Sequence, residues 1–292
     1  MKLRELLIAA GMNASNIQDK VVSRMKERFP GRVTICLHEQ DKFGAKDIYD
    51  WMADLYLTAT CIDFSELAII ADCVYDDTES LRLQVCFASG LPSVLKIVTK
   101  AEHTRAVALN AAGVHHPHLV QQTPYIIHGK FYVVMPLLRI TASRLCGIPS
   151  RKAMELWEQI GSALEHLHDR NFAHKDVKSD NIAIDYEGRF ILIDLGDTVP
   201  IGDATSNSTP NFVPTDLDGK GPATALLDWG MLMMTVFDRM QPAGESIAFK
   251  KQELSTMDLL RWLVDNNHTA LAAKMSEKFK VNLLQISCWS SR

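Results

Sequence analysis

Apolar residues recur along this chain in two rhythms. Near the N-terminus the spacing is helical: Ile17, Val21, Met25 and Phe29 fall on every fourth position and make one stripe. Ser15 or Asn16 can cap that helix, and Pro30-Gly31 stops it. Val33 to Leu37 reads as a short strand. Ala45 to Thr60 reads as a second helix burying Ile48, Trp51, Leu55 and Tyr56. Residues 1–64 thus form an N-terminal helical extension of unknown role, whose stripes belong to a core rather than a binding site. From Leu67 the period shortens. Leu67 to Ala71, Leu81 to Ala88 and Ser93 to Val98 read as strands separated by acidic, turn-rich stretches. A short helix follows over Glu102 to Ala112 and ends at His116-Pro117, because proline disfavours helical geometry in the residue before it. Phe131 to Met135 is a further strand.

Beyond residue 150 the helical rhythm returns. Met154, Trp157, Ile160, Leu164 and Leu167 mark a helix over Arg151 to Leu167. Two short strands, Ile182 to Ile184 and Phe190 to Ile193, are joined by Asp185-Tyr186-Glu187-Gly188, which suits a hairpin turn. Leu226 to Phe237 is almost wholly apolar after Asp228, as a buried helix requires. Met257 to Val264 and Thr269 to Phe279 add two more helices. Strands first and helices afterwards predict an α+β protein of two lobes, an antiparallel-sheet N-lobe over 65–138 and a mainly helical C-lobe over 139–292.

Composition narrows the class. The chain of 292 residues is 47% hydrophobic and 23% charged, which suits a globular protein and excludes a disordered one. A net charge of -4 argues against a basic nucleic-acid binder, so no nucleic-acid partner is expected. The six cysteines form no C-x-x-C pair and read as reduced thiols of an intracellular protein. The apolar run Leu6 to Ala10 is too short for a signal-peptide core, and no stretch reaches the roughly 18 apolar residues of a membrane span. The expected location is cytoplasmic or nuclear.

Candidate chemistry concentrates in His174-Lys175-Asp176-Val177-Lys178-Ser179-Asp180-Asn181, a polar run between apolar elements. One carboxylate there can accept a proton from an attacking hydroxyl. An amide oxygen and a second carboxylate can hold a divalent cation, and an ammonium can neutralise phosphate charge. The run resembles the protein-kinase catalytic loop H-R-D-x-K-x-x-N with Lys175 in place of arginine, and Asp194-Leu195-Gly196 resembles D-F-G. Val94-Leu95-Lys96-Ile97 is similar to V-A-I-K, His116-Pro117-His118-Leu119-Val120 to H-P-N-I-V, and Met135-Pro136-Leu137-Leu138 to the adenine-binding hinge. Thr209-Pro210-Asn211-Phe212-Val213-Pro214-Thr215-Asp216 resembles the end of an activation segment, with Asp216 for the usual glutamate. Asp228-Trp229 resembles the start of the helix that anchors the catalytic loop. The resemblance covers residues 66 to 292.

The resemblance implies an ATP-dependent phosphotransferase of the eukaryotic protein kinase superfamily. Asp176 would be the catalytic base and Lys178 would steady the transferring phosphoryl. Lys96 would hold the nucleotide phosphates, and Met135 and Leu137 would line the adenine. Asn181 and Asp194 would bind Mg2+ beside the ATP. Lysine two places after the aspartate is the serine/threonine pattern, so a protein hydroxyl is the expected acceptor, of unknown identity. Thr198, Thr205, Ser206 and Ser208 are loop hydroxyls open to phosphorylation, though unmodified hydroxyls are the commoner case. Two departures point to the alternative of a pseudokinase that serves as a scaffold or partner-binding module. The segment Asp72 to Ser80 has no glycine and four acidic side chains where a Gly-rich loop would cradle phosphates. The glutamate partner of Lys96 is expected near Arg105 or Val107, and Glu102 stands too early for it. A small-molecule kinase of related fold is a third reading.

Overall fold

A computed structural model of the chain describes residues 68–74, 82–88, 91–127, 129–203, 208–242 and 253–281. The helices and strand expected within residues 1–64 lie outside the described residues, as does most of the acidic stretch that follows Val74. The described residues divide into two compact units. The first runs to Val107 and includes Gln121–Arg139. The second comprises Ala108–Val120 and the residues from Ile140 onward.

The first unit is built on a five-stranded antiparallel sheet in the order β1-β2-β3-β5-β4. Its strands are β1 (Ala68–Val74), β2 (Arg82–Ala88), β3 (Leu91–Val98), β4 (Thr123–Ile127) and β5 (Lys130–Pro136). β3 is central, with Lys96 opposite Leu83 of β2 and Val133 of β5. Alternation puts Leu95, at 0% exposure, on the same face as its cross-strand partner Val134, while Val133 is buried on the face of Lys96. The helix α1 (Lys100–Ala111) follows β3 after a single residue, Thr99. Thr99 Oγ1 accepts from the Glu102 N–H at 3.2 Å, and Glu102 Oε2 accepts from the Thr99 N–H at 2.9 Å, a reciprocal capping box.

The second unit is mainly helical. α2 (Ser150–His168) buries Ala153, Leu156, Trp157, Ile160, Gly161, Ala163, Leu164 and Leu167; of the stripe read from spacing, Trp157, Ile160, Leu164 and Leu167 are in this set and Met154 is only half-buried. It packs on α3 (Ala225–Met240), which is buried from Leu227 to Met240. Gly161 lets the two helices approach: a Cβ there would lie 2.9 Å from Cη2 of Trp229. Thr224 caps α3 by accepting from the Leu227 N–H. The helices α4 (Thr256–Asp265) and α5 (Thr269–Phe279) complete the unit.

Small strands carry the chemistry-bearing loops of this unit. β6 (Ile140–Thr141), β8 (Ile182–Ile184) and β9 (Phe190–Leu192) form one sheet, and β7 (Phe172–Ala173) pairs with β10 (Val199–Pro200). The β8–β9 hairpin closes through Asp185, whose Oδ1 accepts from the N–H groups of Glu187 and Arg189, with Gly188 at φ 82°. Residues 118–120 run beside β9, with the Val120 N–H on the Leu192 carbonyl and the Leu192 N–H on that of His118. The architecture is α+β, as the pattern of apolar positions predicts.

Candidate active site

Residues His174 to Asn181 lie between β7 and β8 in the second unit. Within this polar run His174 at 0%, Lys175 at 1%, Asp176 at 9% and Asn181 at 7% exposure are buried, while Lys178 is half-buried and Asp180 exposed. Buried polar groups must be hydrogen-bonded, so the question is what satisfies them. The answer is chiefly Asp228, in the first turn of α3 and itself 0% exposed. Its Oδ2 accepts from the His174 N–H at 2.8 Å and from His168 Nε2 at 2.9 Å, and its Oδ1 accepts from the Lys175 N–H at 2.8 Å. The Thr235 hydroxyl, two turns along α3, lies 2.8 Å from the Met231 carbonyl and 3.3 Å from that of Val177, which share its one proton. The buried helix thus holds the loop backbone from beneath.

His174 links the loop to the strand after the hairpin. Its Nδ1 accepts from the Asp176 N–H at 3.3 Å, which places the ring proton on Nε2, donated to the Ile193 carbonyl at 3.1 Å. Two residues of the region hold left-handed backbone: Lys175 at φ 69° and Asp194 at φ 56°. Such conformations cost on the order of 1–3 kcal/mol each and persist only where the surroundings over-determine them. The Asp228 and Ile193 contacts supply that constraint.

The carboxylate of Asp176 is the focus. Oδ2 accepts from Lys178 Nζ at 2.7 Å and from Asn181 Nδ2 at 2.8 Å, while Oδ1 accepts from Thr209 Oγ1 at 2.5 Å. Lys178 Nζ also donates to Thr209 Oγ1 at 3.0 Å. A carboxylate and an ammonium thus converge on one hydroxyl. Asn181 spends its amide N–H groups on Asp176, at Oδ2 and the backbone carbonyl, which turns its Oδ1 away from that carboxylate. The Ile193 N–H donates to the Asn181 carbonyl at 2.8 Å, so half-buried Asp194 begins one residue from this contact. An amide oxygen and one carboxylate suit a hard cation that takes its remaining ligands from phosphate and water. Among the described residues no group of three or more His, Cys, Asp or Glu side chains could hold a metal by itself.

Lys175 is 1% exposed, with Nζ 3.5 Å from the Gly221 carbonyl. Burial lowers its pKa below the ordinary lysine value, and the charges of Asp228, Asp218 and Asp197 oppose that shift. Asp216 is anchored by a helix start: Oδ1 accepts from the Thr256 N–H at 2.9 Å and Oδ2 from Thr256 Oγ1 at 2.5 Å. Thr198 is 0% exposed and Ser208 7%, which closes both hydroxyls to modification in this conformation. Thr205 and Ser206 lie outside the described residues.

The remaining expected nucleotide residues belong to the first unit. Lys96 is in β3, and Met135 is half-buried at the end of β5. Leu137 is 3% exposed, so its side chain belongs to the core. Here the structure corrects the reading of Glu102 as too early. Its Oε1 lies 3.6 Å from Lys96 Nζ, and the pair is formed. The signal was present in sequence as Thr99-x-x-Glu102, the spacing of a capping box, which turns that carboxylate back toward the strand end. The parts played by His168 and Thr256 carry no local signal and went unread.

The protein kinase domain family matches residues 91–288, and the chain belongs to that family. A 103-residue segment is 28% identical to rhodopsin kinase GRK1 of Rattus norvegicus, covering 34% of this chain and 18% of that protein. Protein kinase 2 of Dictyostelium discoideum is 34% identical over 107 residues, 34% of this chain and 21% of its own length. Serine/threonine-protein kinase Nek1 of Mus musculus is 32% identical over 105 residues, 33% of this chain and 9% of its own. The matches thus span about a fifth or less of these relatives. Among solved structures, the kinase PK-1 of Cydia pomonella granulovirus superposes with a TM-score of 0.52 at 15% identity, covering 68% of this chain and 73% of that one. No helix among the described residues is long and apolar enough to cross a membrane.

Proposed function

We propose that this chain is a serine/threonine-type protein kinase that transfers the γ-phosphoryl group of ATP to a protein hydroxyl. The observation that carries the reading is the convergence of Asp176 Oδ1 and Lys178 Nζ on the Thr209 hydroxyl, at 2.5 and 3.0 Å. An acceptor hydroxyl brought to the same carboxylate would give up its proton there, and the lysine would offset charge on the transferring phosphoryl. Lys96 would hold the α and β phosphates, and the end of β5, with Met135 and Leu137, would receive the adenine. Asn181 and Asp194 would hold Mg2+, which when bound neutralises phosphate charge. Asp228 keeps the catalytic loop in place for this work without touching substrate.

The glycine-free, acidic segment Asp72 to Ser80 favours a second reading, a kinase-like scaffold that binds a partner without turnover. One experiment separates the two: thermal unfolding of the native chain and of Asp194→Asn, with and without Mg-ATP, followed by phosphotransfer assays on protein substrates. A ligand that binds only the folded state stabilises it by mass action, about 2.7 kcal/mol at a hundred times its Kd. The kinase reading expects a magnesium-dependent rise in Tm that Asp194→Asn abolishes. No rise at millimolar Mg-ATP overturns it in favour of the scaffold.

A further inference from the structure

Three histidines and an arginine meet where residues 113–118 lie against the C-terminal end of α2, all within the second unit. The His116 ring is 5.2 Å from that of His166 and 5.7 Å from that of His118, centroid to centroid. Hydrogen bonds fix where each ring carries its proton. Arginine only donates, so His166 Nδ1, 3.2 Å from Arg170 Nη1, accepts. His116 Nδ1 accepts from the His118 N–H at 3.2 Å. Both rings therefore hold their hydrogen on Nε2 and spend the Nδ1 lone pair on a bond. His118 is the reverse. Its Nδ1 is 2.8 Å from the Phe190 carbonyl, which only accepts, so Nδ1 carries the hydrogen and donates.

A second proton therefore acts differently on the three rings. At His118 it goes to Nε2 and leaves the bond to Phe190 in place. At His116 and His166 only Nδ1 can take it, so the cation and the present hydrogen bond exclude each other. Protonated His166 would set N–H and positive charge against the Arg170 guanidinium. That guanidinium joins the loop to the helix end: Nε donates to the Gly113 carbonyl at 3.0 Å and Nη1 to the His166 carbonyl at 3.2 Å. Protonated His116 would lose its bond to the His118 N–H. The surroundings oppose both cations. Burial is the first cause at each ring; His166, His118 and Arg170 add to it at His116, and Arg170 and His115 at His166, where the Gly113 main chain and Asp169 act the other way.

The same stretch of chain is laced to β9. The Leu192 N–H donates to the His118 carbonyl at 2.8 Å, and the Val120 N–H to the Leu192 carbonyl at 2.9 Å. β9 runs on to Ile193, whose N–H binds the Asn181 carbonyl, and then to Asp194. We propose that His116, His166 and Arg170 form a proton-released latch, which holds residues 113–118 on α2 while both rings are neutral and opens in acid, loosening the edge of β9 that leads to Asp194. The opened loop binds more protons than the latched one below about pH 6.5, so the latch is intact above that value and opens progressively below it. It stands independently of the catalytic reading of the site.

The test uses the full chain as native protein, His116→Gln/His166→Gln and His118→Gln. A glutamine oxygen can accept as Nδ1 does and takes no proton in this range. Hydrogen-exchange protection is compared at about pH 7.5 and about pH 5.5, each amide corrected for its intrinsic rate, with the interior of α2 as reference. Nitrogen NMR of the imidazoles reads the tautomers at the higher pH. The latch predicts that protection of the His118, Val120 and Ile193 amides falls at least about tenfold in acid while the α2 interior holds. The double variant stays protected at both pH values, and His118→Gln keeps the native fall. The hydrogen is found on Nε2 of His116 and His166 and on Nδ1 of His118.

Equal protection at both pH values in the native chain overturns the inference, and so does an equal fall in the double variant. A fall that His118→Gln abolishes overturns the assignment to His116 and His166. Protection of α2 that is lost in step with the loop means general unfolding and overturns the latch. The native chain decides alone if the double variant fails to fold, because Nδ1–H tautomers at His116 or His166 remove the physical basis.

Discussion

Asp228→Asn tests the anchoring of the loop from His174 to Asn181, because it changes one atom and one charge in a residue with no solvent contact. The carboxylate accepts three hydrogen bonds, two at Oδ2 and one at Oδ1. An asparagine can present its oxygen to only one side. With the oxygen facing the His174 N–H and His168, the new amide N–H groups face the Lys175 N–H, donor against donor. One charge-assisted bond is lost, about 1.5–3 kcal/mol, and a buried donor is left unsatisfied for about 1–3 kcal/mol. The buried Lys175 ammonium also loses one of the three charges that offset its burial. The expected destabilisation is about 3–5 kcal/mol. At roughly 2–4 °C per kcal/mol for a unit of this size, Tm falls by about 10 °C in a denaturation series at neutral pH. Asp228→Ala, which leaves all three donors bare, falls at least as far. A loss below about 1 kcal/mol for Asp228→Asn would refute the reasoning, since it would mean that the loop backbone finds other acceptors.

Asp216→Ala removes both oxygens that bind Thr256 at the start of α4; unfolding in urea is expected to show a loss of about 1–2 kcal/mol, the scale of a helix cap. Asp216→Asn recovers part of it, through the oxygen it retains. Gly230→Ala places a methyl 3.1 Å from the Pro214 ring and against Leu217 Cδ1, so the activation segment must shift; the gain in helix propensity offsets part of the strain, and a net loss of about 1–2 kcal/mol is expected by the same measurement. Stability should also fall in acid through His116 and His166. Burial is the main cause holding both below the ordinary value of about 6.5; the His166 and His118 rings and Arg170 add to it at His116, Arg170 and His115 at His166, and Asp169 opposes it there. Between their folded values and about 6.5 the unfolded chain binds more protons, so this stability is intact above about pH 6.5 and lost as pH falls below it. A His116→Gln/His166→Gln chain should show a flatter pH dependence of Tm over that window.

The elements that the sequence revealed are those with a sustained period. The stripe of α2 and the apolar run of α3 left little freedom, and their ends agree with the structure to within three residues. β4 went unread for a physical reason. Pro124 sits in it, and Tyr125 and Ile126 are exposed, so neither ladder chemistry nor alternating burial marks it. Proline is tolerated there because β4 is the edge of the sheet. The two-residue strands β6, β7 and β10 are too short to carry any period.

The candidate site shows a different limit. The polar run from His174 to Asn181 stood out because its members are contiguous and chemically unlike their flanks. What satisfies that run once buried lies far along the chain: Thr209 is 33 residues from Asp176, and Asp228 is 54 from His174. No local pattern states such a pairing; a buried acid on an apolar helix only announces that some partner must exist. Distance along the chain is still not the whole account, because Glu102 lies six residues from Lys96 and was passed over. The resemblance to other kinases pointed a turn or more further along α1, while the capping spacing from Thr99 pointed to Glu102 itself. Where a borrowed spacing and a local hydrogen-bonding rule disagree, the local rule has the stronger claim here: two backbone N–H groups at a helix start must be satisfied, and the carboxylate that satisfies one of them is already aimed at the lysine.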